Sequence, residues 1–406
     1  MSGDLPPGGH VSTANKRTYP VMAKHGCLAT YGGVTYWSSV QDLFSDVLST
    51  RPGQLVFFNL TKTEPLSGHD LDVKSEFLEP TNAFSFCGGT DERGKYGYTG
   101  IYRITGRPRF DPHELTGDDE NATLESDYAI RVPIEPVRIY ADVYPEWKLL
   151  DVQDTTSDVW QPRFRKFLQS AKSLASMTPW ETQRLIRMLD DGPHSWIDGD
   201  DIETSPRREG AVISMTDLLN QTSDGRQSTV PDGGLSAISL DDIIVKDGDQ
   251  FKYEKGLEAW WVENFDSGRE VFEALLAAGD LIWFSNYIPA TSSGTALDGL
   301  ALLEKPNGKY RAIPVEMKRG NVKETPGRRE VEQLYRYSVW AKEFLGNKVD
   351  TAVEDVRPVY LAAGMNRSAS AKAPDLLTSE SYFVDPTFVE YTLERDGVHL
   401  NSTIIR

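Results

Sequence analysis

The dipeptide Asn307-Gly308 stands between two nine-residue runs, ALDGLALLE at 296–304 and YRAIPVEMK at 310–318, and this arrangement leaves the chain few choices. Asparagine and glycine both accept the positive φ that a tight turn between antiparallel strands requires, so the stretch predicts a β-hairpin. Side chains alternate across a strand, so Glu316 and Lys318 point to one face at the end of the second strand. Asp298, near the start of the first strand, lies on the adjoining arm of the ribbon. Residues 257–278 (LEAWWVENFDSGREVFEALLAA) read as helix and 280–287 (DLIWFSNY) as strand before the hairpin. A helix over about 328–345 and a buried strand over 356–363 follow it. The order helix, strand, hairpin, helix, strand predicts a mixed sheet flanked by helices.

Two carboxylates on adjacent strands can hold a hard cation such as Mg²⁺, with Mn²⁺ as the substitute. Such an ion neutralises the charge that develops on phosphorus oxygens during phosphodiester hydrolysis. An ammonium beside them orients or helps to deprotonate the attacking water and stabilises the transition state. The competing reading is an ordinary surface ion pair between Glu316 and Lys318. An acidic-x-Lys triplet arises about three times by chance in a chain of this composition. It does occur three times, at Asp72-Val-Lys74, Glu146-Trp-Lys148 and Glu316-Met-Lys318. Only the third has an aspartate on a preceding hairpin strand, an apolar lead-in and a helix behind it. On that helix Gln333 and Tyr337 are four apart and share a face, where both can donate to phosphate or steady a carboxylate. Alternatively, Tyr337 is core and Gln333 faces solvent. Arg319, Lys323, Arg328, Arg329, Arg336 and Lys342 form a locally basic strip where DNA could dock.

Taken together, Asp298, Glu316-x-Lys318 and Gln333-x-x-x-Tyr337 resemble the PD-(D/E)xK nuclease superfamily of RecB-like type. Within it, the similarity is greatest to the C-terminal nuclease domain of the archaeal NucS/EndoMS endonucleases. There too a helix opening with an acidic Leu-Glu-x-Trp pattern precedes the sheet, as Leu257-Glu258-Ala259-Trp260 does here. The resemblance implies a restriction-endonuclease-like α/β/α domain in which Asp298 and Glu316 bind Mg²⁺ and Lys318 acts on the water. Gln333 and Tyr337 would support the site, and Glu258 would add a carboxylate to the metal. It covers roughly residues 251–370. The motif's usual Pro-Asp is Leu297-Asp298 here, the NucS N-terminal domain is not recognisable, and the ending HLNSTIIR carries no clamp-binding peptide.

The rest of the chain reads differently. Residues 53–59, 96–104 and 128–140 are rich in β-branched and aromatic residues and predict a small sheet or barrel. Residues 163–189 follow helical spacing, with Thr178-Pro179 and Glu181 as the start signal of the last piece. These segments resemble PUA-like and EVE domains, a likeness that implies a sensor of base or backbone modification within residues 1–189. Trp37, Phe57, Phe58, Tyr102 and Trp147 are its candidate pocket for a flipped base, and core packing of the same aromatics is the equally direct reading. Residues 190–250 are rich in Asp, Gly, Ser, Thr and Pro and read as an acidic flexible linker, with the nuclease domain over 251–406.

Composition removes several function classes. Residues 89–96 nearly spell a phosphate loop, but Tyr96 stands where the cation-binding hydroxyl belongs, and no Gly-x-Ser-x-Gly elbow supports acyl transfer. Two cysteines 60 residues apart argue against a disulfide framework or structural zinc. The absence of a long apolar run predicts a soluble cytoplasmic protein with no membrane partner. A net charge of -18, from 61 acidic and 43 basic residues, fits the cytosol of a salt-loving archaeon. The sequence therefore predicts a Mg²⁺-dependent DNA endonuclease for modification-dependent restriction or DNA repair, acting on double-stranded, modified DNA, with homodimerisation left open. The alternatives are a non-catalytic nucleic-acid-binding protein and an RNA-modification reader.

Overall fold

The structure is a computed structural model that describes residues 7–15, 17–30, 46–60, 97–111, 114–117, 123–124, 128, 130–145, 174–190, 196–198, 246–247, 250–251, 254–289, 296–320, 328–346, 353–394 and 397–406. They fall into two compact units, one within 7–198 and one within 246–406. No helix among the described residues is long and apolar enough to cross a membrane.

The first unit contains β1 (Gly9–Ala14), α1 (Thr18–Lys24), β2 (Cys27–Thr30), β3 (Leu55–Leu60), β4 (Gly97–Ile104), β5 (Arg109–Phe110), β6 (Leu115–Thr116), β7 (Thr123–Leu124), β8 (Ile130–Pro145), β9 (Leu174–Met177), α2 (Pro179–Asp190) and β10 (Trp196–Asp198). One sheet runs β10-β8-β4-β3-β1-β9, with β2 and β5 both pairing on the first residues of β8. Where the sequence predicts a small barrel, the described pairings trace an open path from β10 to β9. Trp196–Asp198, inside the stretch read as linker, pairs with β8 and belongs to this sheet. The phosphate-loop-like segment 89–96 lies outside the described residues.

Helical spacing across residues 163–189 fails at Leu174–Met177, which pairs antiparallel with β1. A four-residue apolar run carries no usable period, so pairing with β1 decides its conformation. The start signal beyond it works as read. Glu181 Oε2 accepts from the Thr178 backbone N–H at 2.9 Å, and Thr178 Oγ1 accepts from the Glu181 N–H at 3.3 Å. This reciprocal capping satisfies two donors at the mouth of α2.

Phe57 and Phe58 have no exposed surface, and Tyr102 is 1% exposed. Phe58 meets Tyr19 and Tyr102 edge-on at 5.1 and 5.0 Å between centroids, and the Tyr19 and Tyr102 hydroxyls lie 3.0 Å apart. These three candidate pocket residues are buried in the core, where Phe58 and Tyr102 pack edge-on with Tyr19. Trp37 and Trp147 lie outside the described residues. His10 is also fully buried, its Nε2 2.8 Å from Gln54 Oε1 and its Nδ1 3.3 Å from Ser176 Oγ.

The second unit opens with the ribbon β11 (Lys246–Asp247) and β12 (Gln250–Phe251), then α3 (Glu254–Asn264) and α4 (Glu270–Leu276). The single helix expected over 257–278 is broken in two at Ser267-Gly268, where Gly268 adopts φ +74°. There follow β13 (Asp280–Pro289), β14 (Ala296–Glu304), β15 (Tyr310–Lys318), α5 (Arg328–Gly346), β16 (Val353–Val356), β17 (Val359–Ala362), α6 (Arg367–Leu377), β18 (Thr387–Glu394) and β19 (Gly397–Ile404). The strand expected over 356–363 divides at Arg357-Pro358, since proline donates no ladder hydrogen bond. Both halves, β16 and β17, pair parallel with β15. The sheet order is β13-β14-β15-β17-β18-β19, in which β15, β17 and β18 run parallel and the pairs at either end are antiparallel. The hairpin is formed as read, with Gly308 at φ +73° and Lys305 and Lys309 joined by a 2.7 Å backbone hydrogen bond.

Helices cover both faces of this sheet. Tyr360 and Ala362 of β17 form an apolar cluster with Val331 and Leu334 of α5 and with Ala369, Ala373 and Leu377 of α6. On the opposite face, Trp261 of α3 lies against Met317 and over the bare backbone of Gly299. A Cβ at residue 299 would fall 2.9 Å from the Trp261 ring. Residue 299 must therefore lack a side chain for α3 to sit this close to β14.

Candidate active site

The polar centre of the second unit forms where β14, β15 and α3 meet. The hairpin pairs Gly299 with Val315, and one further step of that register sets Asp298 opposite Glu316. Asp298 Oδ2 accepts from the Met317 backbone N–H at 2.7 Å, which fixes the carboxylate at the strand end. Lys318 Nζ lies 2.8 Å from Glu316 Oε1, 3.6 Å from Asp298 Oδ2 and 3.5 Å from Glu254 Oε1. The two predicted acids and the predicted ammonium are thus gathered on one side of the ribbon.

The helix α3 adds two carboxylates. Glu258 is 1% exposed, bonds Lys255 Nζ at 2.7 Å and accepts from Asn286 Nδ2 of β13 at 3.4 Å. Glu254 sits one turn earlier and touches Lys318 directly. The sequence reading missed Glu254, although its i, i+4 relation to Glu258 is the signal that places both on one face of a helix. Carboxylate oxygens of Glu254, Glu258 and Asp298 all lie within 4.8 Å of one another.

Burial sets the electrostatics. Glu316 has no exposed surface, and burial followed by the charge of Asp298 holds its carboxyl well above the usual range, against the pull of Lys318. Glu254 is raised too, by burial first, while Lys318 lowers it and Asp298 raises it. For Lys318, burial favours the neutral amine, but Asp298, Glu316 and Glu254 together outweigh it and keep the ammonium charged above its ordinary value. This balance favours the ammonium form of Lys318 in the arrangement described.

The donor set fits a hard divalent ion. Carboxylate oxygens are what Mg²⁺ and Mn²⁺ prefer, and Glu254, Glu258 and Asp298 offer three within a short span. Glu316 Oε2 is a buried acceptor with no hydrogen-bond partner among the described residues, the kind of orphan that a cation or its hydration water satisfies. Glu330, in the first turn of α5, is 7% exposed and likewise keeps Oε2 without a partner among the described residues.

On α5, Gln333 Nε2 donates to the Tyr337 hydroxyl at 2.8 Å, and Tyr337 is 2% exposed. The helical spacing thus brings the two together, although no described hydrogen bond ties them to Asp298, Glu316 or Lys318. Of the basic strip, Arg319 and Arg336 are exposed. Lys342 is engaged inward by the carbonyls of Val353 and Glu354 and lies over the Tyr382 ring. Lys323 lies outside the described residues, and Arg328 and Arg329 are placed by backbone in the first turn of α5.

No family model matches the chain, and no curated protein matches it. Among solved structures, an apo form of EndoMS is similar at 18% identity over 30% of this chain and 44% of that one, with a TM-score of 0.18. A repair endonuclease from Pyrococcus abyssi is similar at 16% identity over 30% of this chain and 42% of that one, also with a TM-score of 0.18. The chain spans less than half the length of either structure.

Proposed function

We propose that the second unit is a metal-dependent nuclease that hydrolyses phosphodiester bonds in DNA. The observation that carries this reading is the convergence of Asp298, Glu254 and the fully buried Glu316 around the Lys318 ammonium, with Glu258 beside Glu254 and Asp298. Four acids held this close repel one another, and such a costly arrangement is retained where a cation compensates it.

Asp298, Glu254, Glu258 and Glu316 would hold Mg²⁺ or Mn²⁺, which supplies a nucleophilic water at neutral pH and neutralises charge on the phosphate oxygens. Lys318 would orient that water and stabilise the pentacoordinate transition state, its own position fixed by Glu316 and Asp298. Arg319 and Arg336 offer exposed positive charge for backbone phosphates. Attack by water, in line with the leaving oxygen, is the reaction that this set of carboxylates and an ammonium supports. In this reading the first unit contributes substrate recognition, including the base or backbone modification sensing that its PUA-like and EVE-like sequence implies. Restriction of modified DNA, or repair, is the corresponding role.

The test is plasmid nicking with Mg²⁺, Mn²⁺ or EDTA, followed by a screen over methylated, phosphorothioated and mismatched duplexes at high salt. Asp298→Asn, Glu316→Gln and Lys318→Met should each slow cutting by about 10²–10⁴-fold while DNA binding persists. Near-normal cutting by any one of them removes that residue from the site. DNA binding with no metal-dependent cleavage under any condition assigns a non-catalytic role instead.

A further inference from the structure

Tyr360 stands beside Glu316 on the neighbouring strand. The parallel register of β15 and β17 pairs Glu316 with Tyr360 and Lys318 with Ala362, so Tyr360 and Glu316 project from the same face. Its ring is anchored, with the residue 3% exposed, packed in the cluster between α5 and α6 and 6.0 Å from the Phe388 ring. Its hydroxyl lies within electrostatic reach of Lys318, Glu330, Glu316 and Glu254. That hydroxyl has no hydrogen-bond partner among the described residues. The ring is held by packing, and a phenylalanine would pack the same way, so the hydroxyl is what this position adds beside Glu316.

We infer that the Tyr360 hydroxyl is a substrate-facing donor of this site, hydrogen-bonding a non-bridging oxygen of the scissile phosphate. The inference rests on the nuclease reading and deepens it by adding a neutral donor to the charged set. A phenol carries its proton at neutral pH, so the group meets the phosphate as an O–H donor. A neutral donor also suits a place next to Glu316, where a second cation would compete with the metal for the carboxylates. Since no base-specific contact is involved, Tyr360 serves any phosphodiester that reaches the site, and its effect falls on rate rather than on sequence preference.

The experiment compares wild type, Tyr360→Phe and Asp298→Asn in single-turnover cleavage of a duplex with saturating Mg²⁺. DNA affinity, Mn²⁺ affinity and melting temperature are measured alongside. Tyr360→Phe keeps the ring and its packing, so it should melt as wild type does and bind DNA and Mn²⁺ within about twofold. Its cleavage rate should fall at least tenfold, toward the ~100-fold loss seen when a transition-state donor is removed. Substrates carrying a single stereodefined phosphorothioate add a readout that a structural role does not move. Sulfur at the contacted oxygen weakens the hydrogen bond in wild type, so its rate effect should shrink in Tyr360→Phe for one diastereomer only. If Tyr360→Phe cuts at the wild-type rate while Asp298→Asn does not cut, the tyrosine contact is wrong and the nuclease reading stands. Loss of rate together with Mn²⁺ affinity makes Tyr360 a support for the carboxylates and overturns the contact with phosphate. If wild type itself never cuts, both fail together.

Discussion

Gly299→Ala isolates the packing that positions the acids of α3. The added Cβ would meet Trp261 carbons at 2.9 and 3.0 Å and Met317 Cε at 3.0 Å, where ordinary contact begins near 3.4 Å. Met317 Cε ends a flexible side chain and can yield. The Trp261 ring cannot move easily, since it is 1% exposed and held by Phe265 and Phe284 at centroid distances of 4.8 and 6.0 Å. The helix must therefore shift by a few tenths of an ångström, carrying Glu254 and Glu258 with it. Overpacking of this kind costs about 1–3 kcal/mol, which lowers the melting temperature of a unit of this size by about 2–4 °C per kcal/mol. A displacement near the chemistry costs more in function, on the order of 10²-fold for 1 Å. Differential scanning calorimetry and Mn²⁺ titration read the two effects separately. The double variant Gly299→Ala with Trp261→Phe frees the space and should recover part of both, giving a coupling energy in a double-mutant cycle. If Gly299→Ala melts and binds Mn²⁺ as wild type does, the close approach of Trp261 to β14 does not position α3.

Burial depresses His10 from 6.5 to about 4, with Gln54 raising and Arg51 lowering it, so the unfolded chain takes up the proton first. The stability of the first unit should be flat above pH 6.5 and fall by on the order of 3 kcal/mol as the pH drops to 4. His10→Gln should flatten that slope in urea titrations, and an unchanged slope assigns the pH dependence elsewhere. Glu316 is raised in the folded protein, so its contribution is fully present below its unfolded value and lost as pH rises through the folded one. Metal-free Glu316→Gln should accordingly melt no lower than wild type, with the difference widening as pH rises and reversing with Mn²⁺. A metal-free variant that melts lower would show that the charged carboxylate stabilises the fold. Thr178→Ala removes one arm of the α2 cap and should cost about 1 kcal/mol in thermal unfolding, and no change would show that water caps the helix equally well.

The parts of the fold legible in the sequence are those where local chemistry and tertiary pairing agree. Asn307-Gly308 between two apolar runs gives β14 and β15 with the same boundaries as the structure, and the alternation along β15 places Glu316 and Lys318 together. Thr178 and Glu181 mark the start of α2 because both halves of the cap lie within four residues. Leu174–Met177 was illegible as a strand, since its partner β1 is more than 160 residues away in the chain. The aromatic residues Phe57, Phe58 and Tyr102 have the composition of a binding slot and of a core alike, and only burial separates the two. Glu254 lacked a motif, and its role emerges from the docking of α3 beside the hairpin. Tyr360 was invisible for a similar reason, as its pairing with Glu316 depends on the return of the chain through α5.

The four acids and the ammonium of the candidate site all come from one continuous stretch, 254–318, and this has a kinetic consequence. Only modest loops must close to bring them together, and closure entropy grows slowly with length, so the cluster can form once α3 docks on the hairpin. During synthesis that stretch precedes α5, β17 and β18, which complete the sheet and cover its other face. Were the acids gathered at that stage, the surrounding wall would still be incomplete, and a divalent ion present then would relieve their repulsion and favour productive folding. Refolding in chelator should be slower than refolding in millimolar Mn²⁺ for this reason.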